Sequence, residues 1–165
     1  CSSDLMGATL ALKLAQHESF TALVLLSTAL AYDGWSIPRY SFLIRLAPWL
    51  TVLKRYRYAE AEPYGIKNPE MRARIKRALE QRHVAESGAD ELSYTHISQG
   101  LRLIDAARRG VAAVVCPTLF IHAVDDETVH PRNVDWAIQR LGSRDKDVIW
   151  LGDSYHMIKI GRAHV

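Results

Sequence analysis

One apolar run, Thr118-Leu-Phe-Ile-His-Ala123, constrains the fold more than any other stretch of the chain; Cys116-Pro117 leads it and Val124-Asp-Asp-Glu127 follows at once. Continuous rather than alternating apolarity suits a parallel strand covered on both faces. At the carboxyl end of such a strand, where ligands gather in open α/β sheets, the chain turns acidic with Asp125, Asp126 and Glu127. Pro131 suits the first turn of a helix, because it has no N–H to leave unpaired there.

The neighbouring segments repeat this rhythm. Met6 to Ala15 carries small residues first and then Leu10 and Leu14 on one face, which predicts a helix. Phe20 to Leu26 reads as a second buried strand, and helix, turn and strand in this order are one unit of a βαβ alternation. Pro131 to Leu141, with Val134, Ile138 and Leu141 on one face, predicts a further helix, and Asp147 to Leu151 a third strand. Between the strands at 20–26 and 118–123, prolines 38, 48, 63 and 69 punctuate aromatic-rich, helical-looking pieces, and Asn68-Pro69 opens a charged helix. A connection of this length is too long for an ordinary βα loop, so a helical insertion is expected. The expected organisation is a core helix and strand over 6–30, a helical cap over 31–110, and core strands with their loops over 111–158.

Composition narrows the function classes. The 165 residues carry a formal net charge of +3 and are 48% hydrophobic, as one soluble globular unit would be. No apolar run is long enough for a membrane span. The basic residues are scattered among acidic and apolar ones, which argues against a nucleic-acid surface. No His, Cys, Asp and Glu cluster has metal-ligand spacing, and no cofactor is implied.

The two ends read as one DNA string in opposite directions. The codons TGC TCT TCC GAT CT encode Cys1-Ser-Ser-Asp4 and open Leu5, and their reverse complement, AGATCGGAAGAGCA, gives Lys159-Ile-Gly-Arg-Ala163 with one base ahead. The string resembles a short-read sequencing adapter. Residues 1–5 and 159–165 are therefore expected to be non-native and to pack poorly. Setting Cys1 aside leaves Cys116 alone, and one thiol without a partner suits a cytoplasmic, reducing setting. Beside a strand, Cys116 reads as a small packing residue rather than a nucleophile.

Chemistry enters with Gly152-Asp-Ser-Tyr-His156, the loop that leaves the third strand. A carboxylate after one strand and a histidine after the next match the chain order nucleophile, acid, histidine of the α/β-hydrolase fold. Serine is a poor nucleophile until a base takes its proton; histidine titrates near neutrality, and the acid fixes its tautomer. Either Asp125 or Asp126 could be that acid, neighbouring side chains on such a loop pointing different ways. His122 sits within a strand and reads as a hydrogen-bonded packing residue, and His17, His83, His96 and His130 carry no motif.

Met6-Gly-Ala8, Cys116-Pro-Thr-Leu119, Ala123-Val-Asp-Asp-Glu127 and Ser154-Tyr-His-Met-Ile158 resemble bacterial carboxylesterases and the related monoacylglycerol-lipase and serine-aminopeptidase-like hydrolases. The resemblance covers about 6–28 and 111–158. It implies a partial α/β-hydrolase fold, the C-terminal strands of a parallel sheet with flanking helices, interrupted by a helical cap. It puts the acid on Asp126 and the base on His156, with Met6 supplying one oxyanion-hole N–H. In those relatives the nucleophile elbow reads Gly-Leu-Ser-Met-Gly, whereas this chain has Ser3-Asp-Leu-Met-Gly7, so Leu5 stands where the serine is expected. The implied parent is a serine hydrolase of small-molecule acyl esters, with this chain itself inactive. Peptide, haloalkane or epoxide hydrolysis on the same fold, or a non-catalytic binding protein, are the alternatives. Trp35, Tyr40, Phe42, Trp49, Tyr56 and Tyr58 are candidates for an apolar acyl pocket in the cap.

Overall fold

The structure, a computed structural model, describes residues 2–37, 57–59, 66–74, 76–77 and 91–158. Ten of its elements fall into a core and an insertion. The core holds strands β1 (Ser2–Asp4), β2 (Leu23–Leu26), β5 (Thr118–Ala123) and β6 (Lys146–Leu151), with helices α1 (Leu5–Leu14) and α4 (Arg132–Arg140). The insertion holds β3 (Arg57–Ala59), β4 (Glu91–Ser93), helix α2 over 69–74, and α3 (Tyr94–Arg109), which a 3₁₀ turn at Val111–Ala113 joins to the core.

The core strands form one parallel sheet in the order β1-β2-β5-β6. The apolar run at 118–123 is a central strand with the expected limits. Leu25 stands opposite Phe120, and Phe120 opposite Val148. Phe120, Leu12, Leu23 and Leu25 are fully or almost fully buried, together with Ala8 and Ala11 of α1 and Val134 and Ala137 of α4. Small residues on α1 let the helix lie close to the sheet, and Leu12 fills the gap between them. Leu10 and Leu14, expected on the buried face of α1, are instead each 47% exposed. The helix buries the stripe 8, 11, 12 and 15, an equally good helical spacing chosen by the smaller side chains.

Two expectations are corrected. Residues 2–4 pair in parallel with β2, Ser2 opposite Val24 and Asp4 opposite Leu26. Ladder pairing uses main-chain groups alone, so a Ser-Ser-Asp segment can occupy a strand that its side chains do not advertise. Residues 159–165 lie outside the described residues. The insertion is not purely helical, because β3 and β4 form a short antiparallel pair with Arg57 opposite Ser93. Three-residue strands are too short to show an alternation. Asn68 opens α2 as expected: its Oδ1 accepts from the N–H of Glu70 at 2.9 Å and of Met71 at 3.1 Å, which caps two orphan donors. The proposed cap residues Tyr40, Phe42, Trp49 and Tyr56 lie outside the described residues.

The loop after β2 is wedged against the loop after β5. Gly34 donates its N–H to the Thr128 carbonyl at 2.9 Å, and a Cβ at Gly34 would stand 2.2 Å from the main-chain oxygen of Glu127. Backbone on that side cannot yield as a flexible side chain would. Gly34→Ala is expected to cost about 1–3 kcal/mol, as overpacking typically does. An unchanged urea midpoint in the variant would show that the two loops separate freely.

Candidate active site

All four core strands run the same way, so the loops leaving β1, β2, β5 and β6 gather at one edge of the sheet. That edge carries Leu5, Ser27 to Ile37, Val124 to His130 and Gly152 to Ile158. Strand β1 passes into α1 between Asp4 and Leu5 with no loop between them. A sharp strand-to-helix turn of this kind raises its central residue above the sheet, and the first N–H groups of the helix have no intrahelical partner.

Asp126 and His156 meet at this edge. His156 Nδ1 lies 2.7 Å from Asp126 Oδ2. The other carboxylate oxygen, Oδ1, accepts the N–H of Thr128 at 2.9 Å and of Val129 at 2.7 Å. The Asp126 side chain is fully buried and that of His156 is 11% exposed. A carboxylate can only accept, so Nδ1 carries the shared proton and Nε2 is left as the free base. Asp125, the other candidate acid, turns outward, is half-exposed, and accepts from Lys67 Nζ at 2.8 Å. Adjacent residues on the loop thus take opposite directions, one toward His156 and one toward the insertion.

Lys67 ties the insertion to both loops. Its ammonium also donates to the Gly152 carbonyl at 3.1 Å, lies 3.7 Å from Asp153, and sits 5.8 Å from the centre of the Tyr155 ring. The hydrogen bond from Lys67 to Asp125 raises the lysine pKa above its ordinary value. Tyr155 in turn meets Trp35 edge to face at 5.9 Å. Of the expected pocket aromatics, Trp35 is 64% exposed and is not a core residue.

His122 supports the acid from beneath. It is fully buried, and its Nε2 lies 2.9 Å from the Val129 carbonyl and 3.4 Å from Asp126 Oδ2. Both are acceptors, so Nε2 holds the proton; Nδ1, buried with no partner, is bare. Burial pushes the pKa of His122 below its ordinary 6.5, against the opposing pull of the Val129 carbonyl and the Asp126 charge, with His156 and His130 reinforcing the downward shift. Because the folded pKa is depressed, neutral His122 contributes stability that is present above about pH 6.5 and is lost as pH falls toward the folded value. The melting temperature is expected to fall on acidification below pH 6.5, and His122→Gln to flatten that slope. Equal slopes in the two proteins would remove His122 from the account.

Met6, the expected oxyanion donor, is in the first turn of α1 and half-buried, and its sulfur accepts from Tyr32 Oη at 3.0 Å. Burial raises the Tyr32 pKa, which keeps the phenol protonated for that bond. Cys116 is free and packs partly buried against the core. Among the described residues no group of three or more His, Cys, Asp or Glu is arranged to hold a metal ion. No described helix is long and apolar enough to cross a membrane.

Nothing in the order of residues singles out Ser27 or the side chain of Glu127, yet both touch the main chain of His156. Ser27 Oγ donates to the His156 carbonyl at 2.7 Å, and Glu127 Oε2 accepts the His156 N–H at 3.0 Å. Ser27 also has φ of 46°, a left-handed backbone unusual for a residue with a Cβ. The available signal was a serine at the end of a buried strand, which alone is common.

A parallel sheet that brings an acid loop, a histidine loop and a strand–helix elbow to one edge defines the α/β-hydrolase class, here as a partial fold. The family model described as serine aminopeptidase, S33, matches residues 3–160, and the chain belongs to that family. It is 26% identical over 101 residues to a thermostable monoacylglycerol lipase from Bacillus sp. (strain H-257), covering 61% of this chain and 35% of the relative. Among solved structures, a monoacylglycerol lipase from Paleococcus ferrophilus superposes with a TM-score of 0.71 at 18% identity, over 95% of this chain and 59% of that one. A soluble variant of monoglyceride lipase from Saccharomyces cerevisiae, in complex with a substrate analogue, gives 0.69 at 15% identity, over 95% and 53%. The chain thus spans about a third of the curated relative and under two thirds of either solved chain.

Proposed function

We propose that the protein to which this sequence belongs hydrolyses carboxylic esters through a serine–aspartate–histidine triad, with His156 as base, Asp126 as its orienting acid, and a serine at the position held here by Leu5. The observation that carries this is the 2.7 Å contact between His156 Nδ1 and a fully buried Asp126. With Nδ1–H committed to Asp126, Nε2 takes the proton of the serine hydroxyl as its oxygen attacks the acyl carbon. The same imidazolium then returns that proton to the departing alcohol. Water repeats the sequence on the acyl-enzyme and releases the acid. The N–H of Met6, free of any intrahelical partner at the start of α1, supplies one donor to the carbonyl oxygen as it gains charge.

The lipase relatives make glycerol monoesters of fatty acids the first substrates to try. The expected cap over 31–110 would hold the acyl chain, and its Trp35 meets Tyr155 of the histidine loop edge to face. The lone thiol of Cys116, outside Cys1, suits a cytoplasmic protein.

The test begins with the intact gene. A serine codon before that of Met6, with p-nitrophenyl ester hydrolysis that His156→Ala abolishes, is the expected result. An aspartate codon there would redirect the proposal to haloalkane or epoxide cleavage. Leu5 itself favours the second reading, a binding member of the fold without a nucleophile. A leucine codon in the intact gene, with no ester turnover, would establish it.

A further inference from the structure

The loop that carries His156 leaves β6 without entering another helix or strand among the described residues, so its fixation depends on what reaches it from elsewhere. Lys67 and Trp35 meet the loop before His156, at Gly152, Asp153 and Tyr155, and three further side chains reach His156 itself. Asp126 holds the ring. Glu127 and Ser27 hold the main chain of the same residue on its two sides: Glu127 Oε2 accepts the N–H at 3.0 Å, and Ser27 Oγ donates to the carbonyl at 2.7 Å. That carbonyl also accepts the N–H of Ile158 at 3.0 Å, closing a tight local turn.

Glu127 is not a solvated loop acid. It is 2% exposed, and its remaining oxygen, Oε1, accepts from the Thr128 hydroxyl at 3.2 Å. A carboxylate removed from water this far is costly unless its acceptors are used, and Oε2 is used by the His156 N–H. Its own main chain is braced in turn, the Glu127 carbonyl accepting the N–H of Ser36 at 2.9 Å and Ser36 Oγ at 2.7 Å. Ser27 is equally committed. It is fully buried, its N–H donates to the Ile121 carbonyl at 2.9 Å, and its backbone is held at φ 46°. A side chain at φ 46° persists only where its surroundings hold it there. Here the hydroxyl is aimed along the sheet edge at a residue far away in the chain.

We propose that Glu127 and Ser27 are positioning residues that clamp the main chain of His156 from both sides and so set its imidazole against Asp126. The two consecutive carboxylates divide the work, Asp126 holding the ring and Glu127 the backbone that carries it. The proposal deepens the hydrolase reading and rests on His156 being its base.

The test uses the enzyme encoded by the intact gene. Glu127→Ala is expected to lower kcat by roughly 10- to 100-fold with KM changed less than about twofold, since small misplacements of a catalytic group cost up to about that much. Glu127→Gln keeps a carbonyl oxygen for the His156 N–H and is expected to recover most of the loss. Ser27→Gly tolerates the left-handed backbone while removing the hydroxyl, and is expected to lower kcat in the same sense. In the proton spectrum, the Nδ1–H resonance of His156 should move in Glu127→Ala and Ser27→Gly and return toward its original position in Glu127→Gln.

Full kcat in all three variants, or lower melting temperatures with an unmoved Nδ1–H resonance, would overturn the clamp. If Glu127→Ala does not fold, Glu127→Gln and Ser27→Gly decide: an unmoved resonance and unchanged kcat in Ser27→Gly overturn it. His156→Ala separates the two levels. Ester hydrolysis that survives His156→Ala removes the hydrolase reading. Hydrolysis lost in His156→Ala but intact in Glu127→Ala and Ser27→Gly removes the clamp alone.

Discussion

In the serine-bearing enzyme, Asp126→Asn is expected to lower kcat by about 10⁴ while leaving the protein folded. The direction of the defect follows from the hydrogen bonds around the carboxylate. The N–H groups of Thr128 and Val129 both need an acceptor, so the carbonyl oxygen of the new asparagine stays on them. Its NH₂ group then faces His156 Nδ1, where Asp126 Oδ2 stood. A donor there forces Nδ1 to accept and moves the imidazole proton to Nε2, so the nitrogen that should take the serine proton already carries one. His156→Ala should remove a similar factor by removing the base outright. Asp125→Asn is the control, because Asp125 contacts Lys67 rather than His156 and its loss should change kcat little. If Asp125→Asn proved the more damaging of the pair, the assignment of the acid would fall. The polypeptide with Leu5 has no hydroxyl to activate and is expected to leave a p-nitrophenyl ester at its buffer rate.

The second large effect is on stability. Phe120 is fully buried at the centre of the sheet, opposite Leu25 on one side and Val148 on the other. Phe120→Ala is expected to destabilise by about 3–5 kcal/mol, the transfer of the ring together with the cavity it leaves. For a chain of this size that corresponds to a fall in melting temperature of roughly 6–20 °C. A shift under about 2 °C would mean that β5 is not the centre of the core.

What could be read from the sequence followed from local physics. The strand at 118–123 announces itself because both its faces are apolar, and its observed limits are the expected ones. Helix α4 is legible from Val134 and Leu141, both buried. The acid and the histidine stand out because each follows an apolar, strand-like segment, which narrows where their loops can go. Ser27 and the Glu127 side chain were not legible, since their partner at 156 is reached only through the fold. No periodicity encodes a contact across that separation. The exposed Leu10 and Leu14 show the limit of the helical pattern itself, because two stripes on α1 had acceptable spacing and packing distance chose between them.

The neighbouring places of β2 and β5 carry a consequence for how this chain can vary. Leu26 ends one strand and Thr118 begins the other, yet Leu23 and Thr118 stand side by side in the sheet. The entropy of closing such an excursion grows only with the logarithm of its length, about 0.6 kcal/mol for each doubling. Lengthening, shortening or exchanging the interior of the excursion therefore perturbs the sheet little, provided its two ends still leave and return at the same strands. The 66–74 segment and α3 are the exceptions: Lys67 anchors the first to the loops after β5 and β6, and α3 packs Ala107 into the core, where its carbonyl accepts from Gln16 Nε2 at 2.6 Å. A lineage could thus exchange the interior of the excursion for another binding surface while the acid and histidine keep their places. What it must preserve is the footing at Lys67 and at Gly34 and the packing of α3 on α1.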